Sequence, residues 1–296
     1  MIFYLKFITN MFQNFIVKIL IFGGILSICS CSSSFSNKDS LISIKGSETG
    51  QALIIELIDC YKTKFDSSII FDVSGGGSQE GISSLQNESI DIAISSRKIK
   101  KGEKLIFENH KKKIVEIPLA KDALIMIVNN HNMIKNMTVQ QINDIYKGKI
   151  TNWSQLGGED LEIFACSRSF GSGTYDFFKQ NVLSNSEPDT NVFLMPDAQS
   201  VFNFVESNRN AIGYLGSSNL DQTINVLSIF NPANNQFVYP SVENIKSNKY
   251  PITRTLYVYY VDKNQSKIVE FTTFLNSKYI KPVINKVGLV SLNDIY

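Results

Sequence analysis

The sequence predicts an α/β protein in which parallel strands are covered by helices. The chain has 296 residues, of which 43% are hydrophobic and 19% charged, enough apolar material for one or two substantial cores. From residue 41 onward, short extended runs alternate with segments whose apolar residues recur at helical spacing. This alternation is typical of parallel sheets, although it does not give the order of the strands.

The first block of the pattern starts with an extended run, a helix and a second extended run, and then repeats the alternation. Its predicted elements are the strand Ile42–Lys45, the helix from Ile54 to Phe65, the strand Ile69–Val73, the helix Gly81–Gln86, the strand Ile90–Ser95, the helix Lys100–Phe107 and the strands Ile114–Leu119 and Ala123–Val128.

A second block with its own core begins near Asn129. We expect a helix at Val139–Tyr146, a turn at Trp153, a strand at Leu161–Ala165, a helix after Ser172 and a buried strand at Ala211–Leu215. After Pro251 the pattern returns to an extended run, Thr255–Val261, and a helix that contains Ile268 and Phe271. No repeat of fixed period is present.

The first thirty residues are typical of a secretory signal peptide. They contain two lysines, no acid and an apolar run at Ile19–Ile28, which is shorter than a membrane-spanning helix requires. A permanent transmembrane helix is the weaker alternative. Removal of Lys6 and Lys18 leaves 29 − 2 = 27 basic residues against 27 acidic ones. That balance gives no support to a nucleic-acid partner.

The segment Ile28-Cys29-Ser30-Cys31 resembles a lipobox, in which a small residue precedes the lipidated cysteine. We expect lipidation at Cys31, because Ser30 is small, whereas the alternative Cys29 follows the bulky Ile28. Residues 31–40 are rich in serine and predict a flexible tether. The protein is then extracytoplasmic and anchored to a bacterial membrane by its lipid.

The remaining cysteines, Cys60 and Cys166, are expected to be buried free thiols, with a disulfide as the alternative. Neither has the spacing of a metal ligand. The two histidines, His110 and His131, lie among lysines and asparagines, which argues against zinc chemistry and histidine-based catalysis. We therefore expect no metal, no cofactor and no catalytic residue.

Three predicted strand-to-helix junctions are rich in glycine and hydroxyl residues. The N–H groups of a first helical turn lack intrahelical partners, so such a junction binds anions without a formal charge. Arg168 adds a cation that suits phosphate-like oxygens, and Arg97 follows a strand end where ligands lie in open α/β sheets. The alternatives are ordinary helix caps and a solvated arginine. The junctions are Gly46–Gly50, Ser74–Ser78 and Ser169–Thr174.

These turns do not match the glycine patterns of nucleotide-binding loops or the G-x-S-x-G pattern of a nucleophilic serine. The chain instead resembles the PstS phosphate-binding proteins that serve ABC transporters, over nearly all of its mature part. The motifs that carry the resemblance are the Gly46–Thr49 and Ser74–Ser78 turns, Asp91-Ile-Ala-Ile-Ser-Ser-Arg97, Ile145-Tyr-Lys-Gly-Lys-Ile-Thr-Asn-Trp153, Arg168–Thr174 and Ala211-Ile-Gly-Tyr-Leu215.

The resemblance implies the type II periplasmic binding-protein fold. In that fold each of two lobes has a mainly parallel sheet flanked by helices, and two crossover strands join the lobes. We expect lobe I at residues 41–127 and 253–296 and lobe II at residues 128–252. A ligand that touches both lobes would favour a closed state that a transporter can recognise.

The resemblance also implies the ligand contacts. Ser96 occupies a position where better-known members have an aspartate that accepts the proton of hydrogen phosphate and so helps to exclude sulfate. Discrimination between oxyanions is less secure without that aspartate, and Arg97 beside it adds a donor. The expected phosphate-binding residues are Ser47, Thr49, Ser78, Ser96, Arg97, Arg168, Ser172, Gly173 and Thr174.

The expected function is capture of inorganic phosphate by a monomeric binding protein, which delivers it to the membrane permease subunits of an ABC importer. A receptor for sulfate or molybdate is the alternative within the same class. A phosphate hydrolase would need a metal cluster or an activated nucleophile, and the sequence offers neither. A surface adhesin or signalling protein on the same fold is a weaker alternative.

Overall fold

The computed structural model describes residues 41–219, 223–262 and 266–292, and the elements below belong to these residues. The predicted signal segment 1–30, the lipidation site Cys31, the tether 31–40 and the last four residues lie outside them. The first lobe alternates strands and helices as predicted. Its elements are β1 (Leu41–Gly46), α1 (Glu48–Lys64), β2 (Ile70–Gly76), α2 (Gly77–Gln86), β3 (Ile92–Ser95) and α3 (Lys101–Asn109).

The first sheet is parallel, with β1 paired to β2 on one side and to β3 on the other. Ile42 and Ile44 alternate along β1 with less buried residues and face the apolar side of α1, where Leu53 and Leu57 are buried. All three strands therefore end at the same edge of the sheet.

Two long strands connect the lobes. β4 (Ile114–Val128) and β12 (Thr253–Val261) are antiparallel partners along most of their length. The prediction of two separate strands at 114–119 and 123–128 is wrong, because β4 continues through the polar residues between them. Lys121 and Asp122 are buried there, and Asp122 pairs with Arg254 of β12 at 2.8 Å.

The second lobe contains the predicted helix α4 (Val139–Tyr146), the turn at Trp153, and a second parallel set of strands. β6 begins three residues later than predicted, because Leu161 and Ile163 hydrogen-bond instead to Trp153 and Thr151 in the preceding turn. The further elements are β5 (Asn136–Met137), β6 (Phe164–Arg168), α5 (Gly173–Asn181), β7 (Phe193–Met195), α6 (Ala198–Ser207), β8 (Ala211–Gly216), β9 (Asn225–Val226), β10 (Ser228–Asn231), β11 (Gln236–Val238) and α7 (Val242–Lys246).

The chain returns to the first lobe with α8 (Ser266–Leu275) and α9 (Ile280–Lys286), followed by β13 (Val290–Ser291). Among the described residues a ten-stranded mixed sheet runs through both lobes in the order β2-β1-β3-β12-β4-β8-β6-β7, and β9 and β13 also pair with β4. The sheet is parallel within each lobe and antiparallel only where the crossing strands join it.

Separate hydrophobic clusters fill the two lobes. Cys60 lies at the edge of the first and Cys166 inside the second, and both are free thiols, as favoured by the sequence. The described part of the chain has no helix with the length and apolar character needed to cross a membrane. Its acidic, cysteine and histidine residues form no group that could hold a metal ion. The lobe boundaries at residues 127 and 252 stay a prediction.

Candidate functional site: an interlobe anion site

All three predicted junctions are strand-to-helix turns in the structure. β1 leads into α1, β2 into α2 and β6 into α5, each with at most four residues between strand and helix. Ser172 caps α5 with its side chain, accepting hydrogen bonds from the N–H groups of Thr174 and Tyr175 at 3.2 and 3.4 Å. Each junction thus directs a positive helix end toward the cleft between the lobes.

The hydroxyl groups of the three turns meet across this cleft. The Thr49 and Thr174 hydroxyl oxygens are 3.2 Å apart, although they belong to different lobes. The Ser78 and Ser96 hydroxyl oxygens are 3.3 Å apart, and the Ser78 oxygen also accepts from the Ser96 N–H. The backbone of Gly173 lies so close to Ser78 that a Cβ atom on residue 173 would be 2.1 Å from the Ser78 hydroxyl oxygen. We call this set of residues the cleft site: Ser47, Thr49, Ser78, Ser96, Arg168, Ser172, Gly173 and Thr174.

The cleft site is closed to bulk solvent. Ser47, Thr49, Ser78 and Ser96 are buried, as is Thr174 on the opposite side. A backbone hydrogen bond joins the lobes directly, from the Gln79 N–H to the Gly171 carbonyl oxygen at 3.1 Å. Gly77 makes this approach possible, because its φ is +87° and a Cβ atom would lie 2.9 Å from that carbonyl oxygen. The structure is therefore a closed form.

Arg168 supplies the positive charge of the cleft site. Its side chain is 2% exposed, and its Nη2 donates to Glu48 Oε2 at 3.0 Å and to the Pro196 carbonyl oxygen at 3.2 Å. Its Nε is buried and has no hydrogen-bond partner among the described residues. Tyr214 holds the backbone of Arg168 by accepting from its N–H at 3.2 Å, and burial raises the pKa of this phenol. The protein thus holds Nη2 of Arg168 in place and leaves its Nε available to donate to a ligand.

Glu48 was not among the predicted site residues. This residue starts α1 between the predicted contacts Ser47 and Thr49, and its carboxylate joins the lobes by accepting from Arg168 and from the Gly76 N–H. Its place at the first position of a helix in a glycine-rich turn was the available signal, because acidic residues are favoured there. A carboxylate therefore lies next to the cleft site.

Arg97 lies apart from the other predicted contacts. Its guanidinium makes a two-pronged contact with Glu103 at 2.6 and 2.8 Å, and its Nε forms an ion pair with Asp176 Oδ2 at 2.8 Å without hydrogen-bond alignment. Burial alone would lower the pKa of Arg97, but the hydrogen bonds to Glu103 and the charges of Glu103 and Asp176 raise it. Lys100 also contacts Asp176 at 2.7 Å. These four residues form what we call the rim cluster, which links α5 to the first lobe.

A buried ion pair on the crossing strands adjoins the cleft site and was not predicted. Arg254 Nε donates to Asp122 Oδ2 at 2.8 Å, and Arg254 Nη2 donates to the Thr49 hydroxyl at 3.3 Å. The other oxygen of Asp122 accepts from the Ser217 N–H and hydroxyl at 2.8 Å. The segment on which the lobes would pivot is therefore hydrogen-bonded directly to a hydroxyl of the cleft site.

The PBP superfamily domain model matches residues 33–278. The chain belongs to the PBP superfamily. The match covers both lobes and all three turns of the cleft site, which agrees with the fold class predicted from the sequence.

Among curated PBP-type relatives, the chain is similar to the phosphate-binding protein PstS of Borreliella burgdorferi. The two are 29% identical over 269 residues, which is 86% of this chain and 91% of the relative. The phosphate-binding protein PstS of Pseudomonas aeruginosa is 28% identical over 262 residues, 83% of this chain and 79% of the relative.

The chain is also similar to solved structures of phosphate-binding transport proteins. A substrate-binding protein from Clostridium perfringens with bound phosphate superposes with a TM-score of 0.78 at 28% identity, covering 85% of this chain and 99% of that one. An ABC-type phosphate transport receptor from Vibrio cholerae superposes with a TM-score of 0.67 at 27% identity, covering 84% and 99%. These relatives are substrate-binding transport proteins.

Proposed function

We propose that this protein is an extracytoplasmic receptor that captures inorganic phosphate between its lobes and delivers it to an ABC importer, with no chemistry of its own. The cleft site carries the proposal. Three helix N-termini and the hydroxyl pairs Thr49–Thr174 and Ser78–Ser96 lie in the closed cleft with the buried Arg168. An anion bound there would exchange its water molecules for hydrogen-bond donors from both lobes. The names of the relatives support the choice of phosphate.

The proposed contacts follow from the geometry. The hydroxyls of Ser47, Thr49, Ser78, Ser96 and Thr174 and the N–H groups of the helix ends act as donors, and the free Nε of Arg168 donates from the second lobe. We do not include Arg97 among the contacts, because its donors are occupied by Glu103 and Asp176. We propose that Arg97 instead stabilises the closed cleft.

Ser96 favours a second candidate, a receptor for tetrahedral oxyanions that includes sulfate. A serine hydroxyl can donate to a fully deprotonated oxygen or accept from a protonated one, so it does not penalise sulfate as a carboxylate would. Glu48 is the nearby carboxylate, but Arg168 and the Gly76 N–H occupy its oxygens. The site therefore offers no unoccupied carboxylate among the contacts described above.

Calorimetric titration distinguishes the two candidates. The segment Ser32–Tyr296, stripped of ligand, retains every described element and would be titrated with phosphate and then with sulfate. We expect phosphate to bind and sulfate to compete weakly. A Ser96→Asp variant is expected to reject sulfate at least tenfold more strongly, because its carboxylate repels an anion that has no proton to donate. Equal binding of the two anions by the unsubstituted chain would favour the general oxyanion receptor. Binding of neither would end the oxyanion proposal.

We further propose that residues 1–30 are a signal peptide and that Cys31 carries a lipid, so that the monomeric protein is held at a membrane surface. Support comes from the sequence of this segment alone. Mass spectrometry of the protein from membranes tests the anchor. A Cys31→Ser variant should be released from the membrane fraction and a Cys29→Ser variant should not, and the opposite result would move the anchor to Cys29.

A further inference from the structure

The end of the first lobe farthest from the cleft site carries an exposed aromatic surface. β1 and β2 both run toward the cleft site, so their first residues, Leu41 and Ile70, are register partners at the opposite edge of the sheet. The connection from α1 to β2 lies at the same edge, because α1 starts beside the cleft site and runs away from it. This connection begins with Phe65.

A cluster of aromatic rings, in stacked and edge-to-face contacts, extends from the core to this edge. The Phe65 ring lies 5.6 Å from the Tyr61 ring and 5.4 Å from the rings of Phe274 and Tyr279. Tyr61 and Phe274 are buried, whereas Phe65 is 53% exposed, Ile70 47% and Tyr279 41%. Contacts with the buried rings thus keep large apolar side chains exposed to solvent. We call Phe65, Ile70 and Tyr279 the basal surface.

Lysines flank these apolar residues. The Nζ atoms of Lys64, at the end of α1, and Lys278, directly before Tyr279, lie 5.8 and 5.9 Å from the centre of the Tyr279 ring. Two acids lie near the same rings. Hydrogen bonds from the Ser68 hydroxyl and N–H lower the pKa of Asp66. Burial raises the pKa of Tyr61, and the charges of Glu270 and Asp66 raise it further. Amphipathic rings beside ammonium groups suit the headgroup region of a bilayer, where the ring is half-immersed and the cation contacts phosphate.

The position of the proposed anchor identifies the partner. Cys31 precedes Leu41 by ten residues, and a fully extended chain of ten residues spans at most about 35 Å. Leu41 lies at the basal edge, where its carbonyl oxygen accepts from Lys267. A lipid on Cys31 would therefore keep Leu41, and with it this edge of the sheet, within about 35 Å of the membrane. Tethering also raises the effective concentration of the bilayer, so a weak contact suffices.

We propose that, between encounters with the importer, the basal surface rests on the phospholipid headgroups of the membrane, so that the cleft site faces the solution from which the anion is captured. Insertion of Phe65 and Tyr279 supplies apolar contact, and Lys64 and Lys278 contribute attraction to anionic lipid. This inference rests on the anchor proposed at Cys31, and it is independent of which oxyanion the cleft site binds.

Lipid quenching of a single introduced tryptophan tests the proposal. The chain beginning at Cys31, with Cys60→Ser, would be coupled through the Cys31 thiol to maleimide lipid in anionic vesicles, which reproduces the tether whatever modifies Cys31 in the cell. A Phe65→Trp variant would then report contact with lipids spin-labelled at the headgroup. Phe193→Trp is the matched control, because Phe193 is 44% exposed in the second lobe. Trp153 is buried and contributes equally to both variants.

We expect the quenching of Phe65→Trp to be at least twice that of Phe193→Trp, and a Lys64→Glu/Lys278→Glu pair to reduce the difference. Equal quenching of the two variants, or none at Phe65→Trp, would overturn the proposal. Titration of the same variants with phosphate distinguishes failure of the membrane contact from failure of the proposed function. Strong quenching without phosphate binding would refute the proposed function and leave the membrane contact intact.

Discussion

Replacing Gly173 with alanine tests whether the anion is bound in the closed cleft. A Cβ atom at residue 173 would lie 2.1 Å from the Ser78 hydroxyl oxygen and 2.5 Å from the Ser96 hydroxyl oxygen, whereas ordinary contact begins at 3.4 Å. The lobes would therefore have to separate by about 1 Å at this point. Gly173 itself has no positive φ, so alanine is not strained in an open form.

The expected loss of affinity follows from the contacts that this separation breaks. Overpacking of this kind costs about 1–3 kcal/mol. The Gln79–Gly171 and Thr49–Thr174 hydrogen bonds each contribute about 0.5–1.5 kcal/mol. The two costs are alternatives, because separation relieves the overpacking and breaks the two hydrogen bonds instead. Either way the cost is about 1–3 kcal/mol, so we expect phosphate to bind about fivefold to a hundredfold more weakly.

Calorimetric titration measures this loss of phosphate affinity. The midpoint temperature of thermal unfolding of the ligand-free protein should change little. Gly102→Ala on α3 is the matched control, because no atom lies within 4 Å of its added Cβ. If Gly173→Ala binds phosphate within threefold of the unsubstituted chain, the contacts described for the cleft site do not form around the bound anion.

Three further predictions concern residues outside the cleft site. Asp176→Asn should weaken phosphate binding about fivefold at low salt, since a partly exposed ion-pair network contributes about 1 kcal/mol. The control Glu108→Gln, on the surface of α3, should not change the affinity. If Asp176→Asn binds phosphate as the unsubstituted chain does, the rim cluster does not stabilise the closed form. Asp122→Ala should lower the free energy of unfolding in urea by about 3–5 kcal/mol, because Arg254 keeps a buried charge without a partner, whereas a loss below about 1 kcal/mol would contradict this account. Burial raises the pKa of the Cys166 thiol to about 12, so alkylation at pH 8, followed by mass spectrometry, should modify Cys60 first; equal rates would show that the second core opens readily.

The sequence predicted the turns of the cleft site well because each turn has a local signal. Glycine and hydroxyl residues before a helix are required by the backbone conformation and by capping, so Ser78, Ser172 and their neighbours could be recognised one turn at a time. The convergence of three turns on one point was predicted only through the family resemblance, because strand order is not encoded locally.

Ion pairs between residues that are far apart in the sequence could not be predicted from local sequence patterns. Arg97 follows a strand end as a ligand residue would, yet Glu103 and Asp176 lie close enough in space to occupy its guanidinium. The break predicted between residues 119 and 123 was wrong for a related reason, because Asp122 is buried within β4 by its ion pair with Arg254, which lies far along the chain. Long-range ion pairs can bury charges in the middle of a strand.

The pairing of Glu48 with Arg168 also affects how the site responds to its surroundings. Because the carboxylate balances the guanidinium, these two residues together contribute no net charge to the cleft. An arriving anion is then stabilised mainly by short-range dipoles, which dissolved salt screens far less than it screens distant charges. The affinity of the cleft site for an anion should accordingly change little with salt concentration, which titrations in dilute and concentrated salt can measure.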